Sequence, residues 1–583
     1  MLKLISRNAI NKNKIILFRL YTTTINSSNN GSTIREWKKP SLENSYDTGI
    51  MVKNSLFKNG NVPFLISNCS EKNQRPISWY TCGPTVYSSS HIGHARNYMT
   101  VDIIQRILIN YFRFNIIHVM GLTDIDDKII NKSKQELISA SELSKKFEQE
   151  FFEDLKSLNI KPPMFTTRVS EHIDEIIKYI EKIKENQLTY ESTKSVIFDV
   201  NKFGIDRYCS LRAANQQIKS DDTLLEKDKK SSQDFVLWKA YNENIDIDGT
   251  GNPVCWDSPF GKGRPGWHIE CSAMIDSIFK DHLDVHSGGV DLEFPHHQNE
   301  IAQCEGHSHS HGSGDAESTQ WANYFFHIGH LILNNEKMSK SLGNVITIRD
   351  FLSRYSANSL RWICLIHKYN DPLSFSDETL QLCISKEIKF LNWFKIVRSK
   401  LKLEQTSVNK VKKTFNHSIE LLNQLSETKY LIEKDLKDDF NTPSVIKRLE
   451  LLMKQTNESM NSIDTDLLFN VQDYVESILN IFGLEVNSEI SDHNKTDESN
   501  QFLLEKLLDF RSDVKNLAKN EKSLDQIKSK IYQITDQLRS DCQSEISLRV
   551  SDIPDKGTNK PYTVDWLDKN HIQLLNIKKQ SKK

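Results

Sequence analysis

The strongest constraint on the fold lies between Ile77 and Asp124, where the chain reads strand, loop, helix, strand. "ISWYTC" has the β-branched and aromatic content of a strand, and Gly83 and Pro84 open a loop after it. From about Ile92, apolar residues recur at four-residue spacing (Ala95, Met99, Ile103, Ile107), the mark of one buried helix face. "FNIIHVMGLTD" then returns to strand chemistry. Two strands joined through a helix pair in parallel, so this stretch predicts an α/β fold built on a parallel sheet.

The rest of the chain divides around that unit. A long helical stretch is expected over roughly 128–190. A segment of short strands and loops follows, from "SVIFDVNKFG" to "NIDIDGTGNP", with the polar run "KSDDTLLEKDKKSSQD" as a solvated loop. Sheet-like chemistry resumes between about Trp256 and Leu333, which makes the preceding block an insertion between two halves of one domain. Beyond about Asp377 the pattern is helical, interrupted by the polar tract "NSEISDHNKTDESN". The expected segments are 76–180 and 256–335 as the two halves, 181–255 as the connective insertion, 336–385 as a loop-bearing junction and 386–583 as an α-helical region.

Composition narrows the class. No stretch approaches the ~18 apolar residues of a membrane span, so no membrane insertion is expected. The nine cysteines include no CxxC pair, so any metal site must be assembled from distant positions. Residues 1–35 carry Lys3, Arg7, Lys12, Lys14, Arg19 and Arg35 and no acidic residue, the composition of a transit peptide for the mitochondrial matrix. Cleavage near Tyr21 would take the formal charge from −1 to −6, so a nucleic-acid partner would need a local basic patch.

The tetrapeptide "HIGH" occurs at His91–His94 and again at His327–His330. The first copy sits between strand and helix, where the N–H groups and dipole of a helix start favour phosphate. There His91 and His94 can donate to charge developing on a phosphoryl oxygen, and Gly93 leaves room for a flat ring. The second copy lies in the apolar run "YFFHIGHLIL" and reads as a buried strand with a coincidental string.

"HIGH" in the first half and "KMSKS" at Lys337–Ser341 after the second are paired signatures of class I aminoacyl-tRNA synthetases. Within that class, "CGPTVYSSSHIGHAR", "TDIDDKI", "DFVLWKA", "WDSPFGKGRPGWHIECSAM", "GGVDLEFPHHQNEIAQ" and "EKMSKSLGN" resemble the cysteinyl-tRNA synthetases, in that family's order from about Trp79 to Asn344. "FSDETL" and "DDFNTP" extend a weaker resemblance into the helical half.

The resemblance implies a split Rossmann catalytic domain followed by an anticodon-binding-type helical domain, with residues 336–385 holding the KMSKS loop and a stem-contact region. It implies ATP, Mg²⁺ accompanying it, L-cysteine and tRNA(Cys) as partners of a monomer. His91 and His94 would stabilise the α-phosphate, Gly93 would accommodate adenine, and Lys337 and Lys340 would clamp pyrophosphate from a mobile loop. Asp291 matches a position facing the nucleotide; Thr123 and Trp267 match positions near the amino acid.

Cys82, Cys271, His296 and Glu300 match the family's zinc ligands. His296 and Glu300, four apart, share a face on a helix, whereas His297, the rival, would point about 100° away. Ser287 and Gln298 depart from the family pattern at positions that are not proposed ligands. His307, His309 and His311 in "CEGHSHSHGSGDAEST" read as a flexible surface loop. Cys69, Cys209, Cys255, Cys304, Cys364, Cys383 and Cys542 follow no partner pattern and are expected to be mostly buried thiols. Two other functions stay open: a ligase joining cysteine to a small amine, and a non-enzymatic RNA-binding relative.

Overall fold

The computed structural model describes residues 37–211, 229–280, 282–308, 320–333, 336–337, 345–406, 415–485, 536, 548–552 and 562–566. The expected transit peptide, most of the solvated loop after Leu211, Lys340, His309, His311, Cys542 and the polar tract near residue 490 lie outside them.

The predicted unit forms as β3 (Ile77–Thr85), α1 (Ile92–Arg106) and β4 (Ile116–Thr123), preceded by the antiparallel hairpin β1 (Ser45–Lys53) and β2 (Asn61–Ser67). β3 and β4 pair in parallel, with Ile77 opposite Ile116 and Cys82 opposite Gly121. Alternation along the strands splits the core. Trp79 and Met120 turn to one apolar cluster with the α1 face, while Tyr80, Cys82 and Val119 turn to a second.

The stretch expected as one long helix is three helices and a strand: α2 (Asp127–Glu136), α3 (Ala140–Ser157), β5 (Phe165–Arg168) and α4 (Ile173–Glu185). Apolar periodicity continues across the breaks, but Leu137 and Asn159 adopt left-handed backbone, and Pro162 and Pro163 cannot continue a helix. The insertion forms an antiparallel sheet, β6 (Thr189–Ser192), β7 (Ser195–Phe198), β8 (Phe235–Ala240) and β9 (Gly263–Pro265). Its last strand thus lies past residue 255.

The chain then re-enters the first sheet through α5 (Trp267–Phe279), β10 (Leu283–Gly289), α6 (Gln298–His307) and β11 (Ala322–Ile328). The completed sheet is wholly parallel in the order β11-β10-β3-β4-β5. That is a doubly wound sheet whose direction reverses between β3 and β10. The carboxyl ends of the strands at such a reversal are where folds of this kind bind ligands.

Beyond it lie β12 (Leu331–Leu333), β13 (Glu336–Lys337), α7 (Ala357–Leu365) and β14 (Leu373–Phe375), then α8 (Asp377–Thr406), α9 (Phe415–Lys437), α10 (Thr442–Ser459) and α11 (Thr465–Ile481). The region expected to be helical to its end also contains an antiparallel hairpin, β15 (Leu548–Asp552) with β16 (Tyr562–Trp566). "LRVSD" and "YTVDW" alternate apolar and polar residues, a strand signal too short to stand out beside long helices.

Candidate active site

The reversal point collects the side chains that the sequence marks as metal ligands. Cys82 comes from the end of β3, Cys271 from the second turn of α5, and Glu300 from the first turn of α6. His296 belongs to the wide turn Glu293–His297, in which Phe294 has extended backbone. All four are buried, Glu300 completely. Their ligand atoms lie within 4.8 Å of one another.

The two sulfurs stand 3.8 Å apart, Cys82 Sγ is 3.9 Å from Glu300 Oε1, and His296 Nε2 is 2.9 Å from the same carboxylate. Two thiolates held about 2.3 Å from a tetrahedral zinc ion would lie close to that separation. Two sulfurs, an imidazole and a carboxylate form a donor set of borderline softness, so these residues fit zinc.

The regular-helix argument against His297 does not hold. The wide turn swings both histidines inward, and His297 Nε2 lies 3.4 Å from Cys82 Sγ. A second grouping, Cys82, His286, His297 and Glu300, therefore shares two members with the first. His286 was not picked out from sequence, although Nε2 meets Glu300 Oε2 at 2.8 Å. The outer nitrogens of both histidines are engaged: His297 Nδ1 with His327 Nε2 at 2.7 Å, and His327 Nδ1 in turn with Ser55 Oγ at 2.6 Å. His296 Nδ1 meets His268 Nδ1 at 3.0 Å, so either imidazole has the buttress a metal-bound one needs.

Charge is already sorted. Burial raises the Cys82 thiol well above its ordinary value, whereas the hydrogen bond from Cys82 pulls Cys271 down. Burial opposes charge on Glu300 and His296, yet the histidines hold Glu300 at about 2, and Glu300 with Cys271 lifts His296 to about 10. The pocket thus favours a thiolate and a carboxylate facing one imidazolium, an arrangement a cation can take over.

Trp267 opens α5 and stacks on His296 at 4.5 Å, so it roofs the cluster. Thr123, at the end of β4, donates to Glu270 Oε2 at 3.0 Å. Glu270 is a buried acid that sequence reading missed. Burial, then Cys271 and Asp126, push its carboxyl well above the ordinary range.

The first "HIGH" caps α1. His91 is the N-cap, and its Nδ1 accepts the His94 N–H at 3.3 Å, which leaves Nε2 as the protonated nitrogen. The His91 and His94 rings stack at 3.7 Å. A Cβ on Gly93 would come within 2.9 Å of the His91 ring, so the glycine admits that histidine. The helix start was expected to offer unpaired N–H groups, but Ile92 N–H is bonded to Ile346 O and His94 N–H to His91. The first of these bonds, with the bridge between His91 and Thr347, ties "HIGH" to the segment that follows KMSKS.

The second "HIGH" begins, as expected, at the end of a buried strand. It runs off the end of β11, and Arg96, two residues past the first copy, donates to His330 O and Asp371 O. Gly329 lies so near Asp371 O that a Cβ would fall 2.2 Å from it. His330 Nδ1 lies 3.7 Å from Asp291 Oδ1. The two copies are thus neighbours, a proximity neither periodicity nor spacing reveals. Lys337 lies in β13, whereas Lys340 is outside the described residues. His307 ends α6 with its ring stacked on Tyr179 at 3.9 Å, so this member of the expected loop is anchored. None of the described cysteines is in a disulfide, and all but Cys255 are buried.

The family model described as tRNA synthetases class I (C) catalytic domain matches residues 68–385. The cytoplasmic cysteine–tRNA ligase of Dictyostelium discoideum is 37% identical over 526 residues, 85% of this chain and 76% of that protein. A protein of Xenopus tropicalis named probable mitochondrial cysteine–tRNA ligase is 36% identical, covering 83% and 80%. Among solved structures, Mycobacterium tuberculosis methionyl-tRNA synthetase in complex with methionyl-adenylate shares the fold, with a TM-score of 0.52 at 14% identity over 70% of this chain and 90% of that one. The chain belongs to the class I aminoacyl-tRNA synthetases, in the cysteine–tRNA ligase family.

Proposed function

We propose that this chain activates L-cysteine with ATP and transfers it to tRNA(Cys) inside mitochondria. In the first step the cysteine carboxylate attacks the α-phosphorus. The bond to the β-phosphate breaks, and pyrophosphate leaves with Mg²⁺. In the second, a hydroxyl of the tRNA's terminal ribose attacks the carbonyl carbon of the adenylate and AMP departs.

The observation that carries this reading is the convergence of Cys82, Cys271, His296 and Glu300 at the sheet's reversal point, beside the helix capped by His91. These four would hold zinc. When bound, the ion supplies a soft acceptor for the substrate's thiolate, a distinction between sulfur and oxygen that an apolar pocket does not make strongly. Trp267 covers the amino acid and Thr123, braced by Glu270, fixes its position. His91, through its Nε2–H, and His94 stabilise charge on the α-phosphate. Gly93 and Asp291 border the nucleotide, and Lys337 and Lys340 receive the leaving group.

The helical region from 386 supplies the RNA contact, with Lys395, Arg398, Lys400 and Lys402 on α8 toward the phosphate backbone. The basic, acid-free residues 1–35 support import into the matrix, with the enzyme acting as a monomer.

The test is pyrophosphate exchange with cysteine, serine and methionine, followed by charging of tRNA(Cys), on protein whose zinc content has been measured. Exchange with cysteine alone and charging of the tRNA are expected. Exchange without charging, with a small amine as acceptor instead, would favour the other ligase reading. No exchange at all would leave only an RNA-binding role.

A further inference from the structure

The loop Asp438–Asn441 joins α9 to α10, and through it the helical region meets the catalytic half. Asp438 bridges to Met51 of β1, and the Asp439 N–H donates to Met51 O at 2.8 Å. The Asp439 carboxylate then accepts three donors from the facing side. Lys53 N–H reaches Oδ1 at 2.8 Å, the Tyr369 hydroxyl reaches Oδ1 at 2.9 Å, and Asn370 Nδ2 reaches Oδ2 at 3.4 Å. Those donors belong to the catalytic frame, since Tyr369 O accepts the N–H of Gly329, just past β11, at 3.0 Å. Beside the carboxylate, Phe440 is buried and meets Phe326 of β11 edge-on at 6.3 Å.

Two observations set this loop apart from ordinary packing. Asp439 and Phe440 both have positive φ, 55° and 51°, a backbone that a phenylalanine keeps only where its surroundings hold it. On one flank the joint is not closed by side chains: a cavity of about 610 Å³ runs beside it, lined by Lys53, Lys368 and Asn441 from its two sides. With open space there, the hydrogen bonds of one carboxylate fix the angle of the helices. A second tie lies at the other end of the helical run, where Arg361, itself bonded to Asp102 of α1, donates to Phe482 O at 3.1 Å. One tie alone would leave a pivot, whereas two define an orientation.

Resting on the reading that the helical region supplies the RNA contact, we infer that Asp439 is a positioning residue for transfer. Its hydrogen bonds hold the helical region at the angle from which the tRNA's terminal ribose reaches the adenylate. Activation of cysteine needs no such angle, because "HIGH", "KMSKS" and the four metal ligands all precede the helical region. Transfer does need it, since a reactant misplaced by about 1 Å can slow a reaction about 100-fold.

The experiment compares the full wild-type chain with Asp439→Gly and Asp439→Asn. Glycine takes positive φ without strain but removes the carboxylate, while asparagine tolerates the same backbone and keeps an oxygen for the three uncharged donors. Pyrophosphate exchange reads activation; single-turnover transfer from preformed adenylate, with KM for tRNA, reads positioning. Asp439→Gly is expected to leave exchange near the wild-type rate while transfer falls about 10–100-fold. Asp439→Asn should recover most of that loss. If Asp439→Gly does not fold, Tyr369→Phe removes one donor from the facing side and should give a smaller loss, again in transfer alone. Unchanged transfer, exchange that falls as far as transfer, or an asparagine variant no better than the glycine one would overturn the inference and leave the proposed function intact. Wild-type protein that exchanges but does not charge tRNA would overturn both.

Discussion

Two polar clusters are buried in this molecule, and they are built in opposite ways. Where α1, α7 and the end of α11 meet, Asp102 accepts from Arg106 Nε at 2.8 Å, Arg361 Nη1 at 2.6 Å and Lys161 N–H at 3.1 Å. The donors left over go to backbone oxygens: Arg361 to Leu158, Asn159 and Phe482, and Arg106 to Asn159. Gly483 has positive φ, and a Cβ there would press within 2.9 Å of Arg361 Nη1. At the sheet's reversal point, by contrast, two sulfurs and a carboxylate face one another at 3.8–3.9 Å. The first cluster is complete as it stands. The second gathers ligand atoms that would fit a metal cation. Burial alone therefore does not mark a candidate site; a convergence of soft ligand atoms does.

The largest effect should come from breaking the complete cluster. Asp102→Ala leaves two buried guanidinium groups without their carboxylate and is expected to cost about 3–5 kcal/mol. Urea unfolding with metal analysis of the folded fraction checks this. Zinc per folded molecule should not change. A joint loss of zinc and stability would mean the two clusters are one cooperative unit and the contrast is false.

Cys271→Ser attacks the other cluster. A hard hydroxyl replaces a thiolate, so zinc affinity should fall by at least about 100-fold, or roughly 2.7 kcal/mol. In chelator-treated protein the same substitution should scarcely move the unfolding midpoint, because a serine hydroxyl keeps a hydrogen-bonding partner for Cys82. A metal-free midpoint lowered as much as the zinc-loaded one would show that the sulfurs are merely core packing.

What was legible in sequence follows the same division. Short-range periodicity specified β3, α1 and β4, since strand, loop and helix signals fall within fifty residues. It failed after Asp127, where apolar spacing runs across Leu137 and Asn159 although the backbone turns left-handed there. Cys82 and Cys271 are 189 residues apart and Asp102 and Arg361 259 apart, so no local pattern joins either pair. The first pair was reachable because family motifs surround it. The second was not, because an Asp and an Arg within helical runs look like solvated surface. His286, Glu270 and Arg96 escaped as well, because each matters only through a partner brought by another strand or helix.

A third buried group sharpens the contrast by pH. Asp284, at the start of β10, accepts from Arg75 at 2.6 and 2.7 Å and from Ser78 N–H at 2.9 Å. Burial opposes its charge, but Arg75 and then His282 hold its carboxyl at about 2. The folded value is thus below the unfolded one. The pair contributes stability above about pH 4 that is lost as pH falls toward 2, a total of about 2 kcal/mol. Arg75→Gln should lower stability at neutral pH by about that amount and flatten the acid limb of the unfolding curve. An unchanged acid limb would place the pair's value elsewhere.

The smallest effect is expected at His330. Arg96 holds its backbone carbonyl, which survives any side-chain change, and its ring is one-third exposed beside the half-exposed Asp291. An ion pair so open to water contributes well under 1 kcal/mol. His330→Ala should therefore leave stability and pyrophosphate exchange nearly unchanged. His327→Ala, three residues earlier, breaks a buried chain from Ser55 to His297 and should cost about 1–3 kcal/mol. His91→Ala should lower exchange about 100-fold or more, as expected on removing a donor aimed at developing charge. If His330→Ala matched His91→Ala in lost turnover at equal zinc content, the second "HIGH" would be part of the chemistry. The distinction between a ring that acts and a backbone that braces would then fail at the point where the two copies touch.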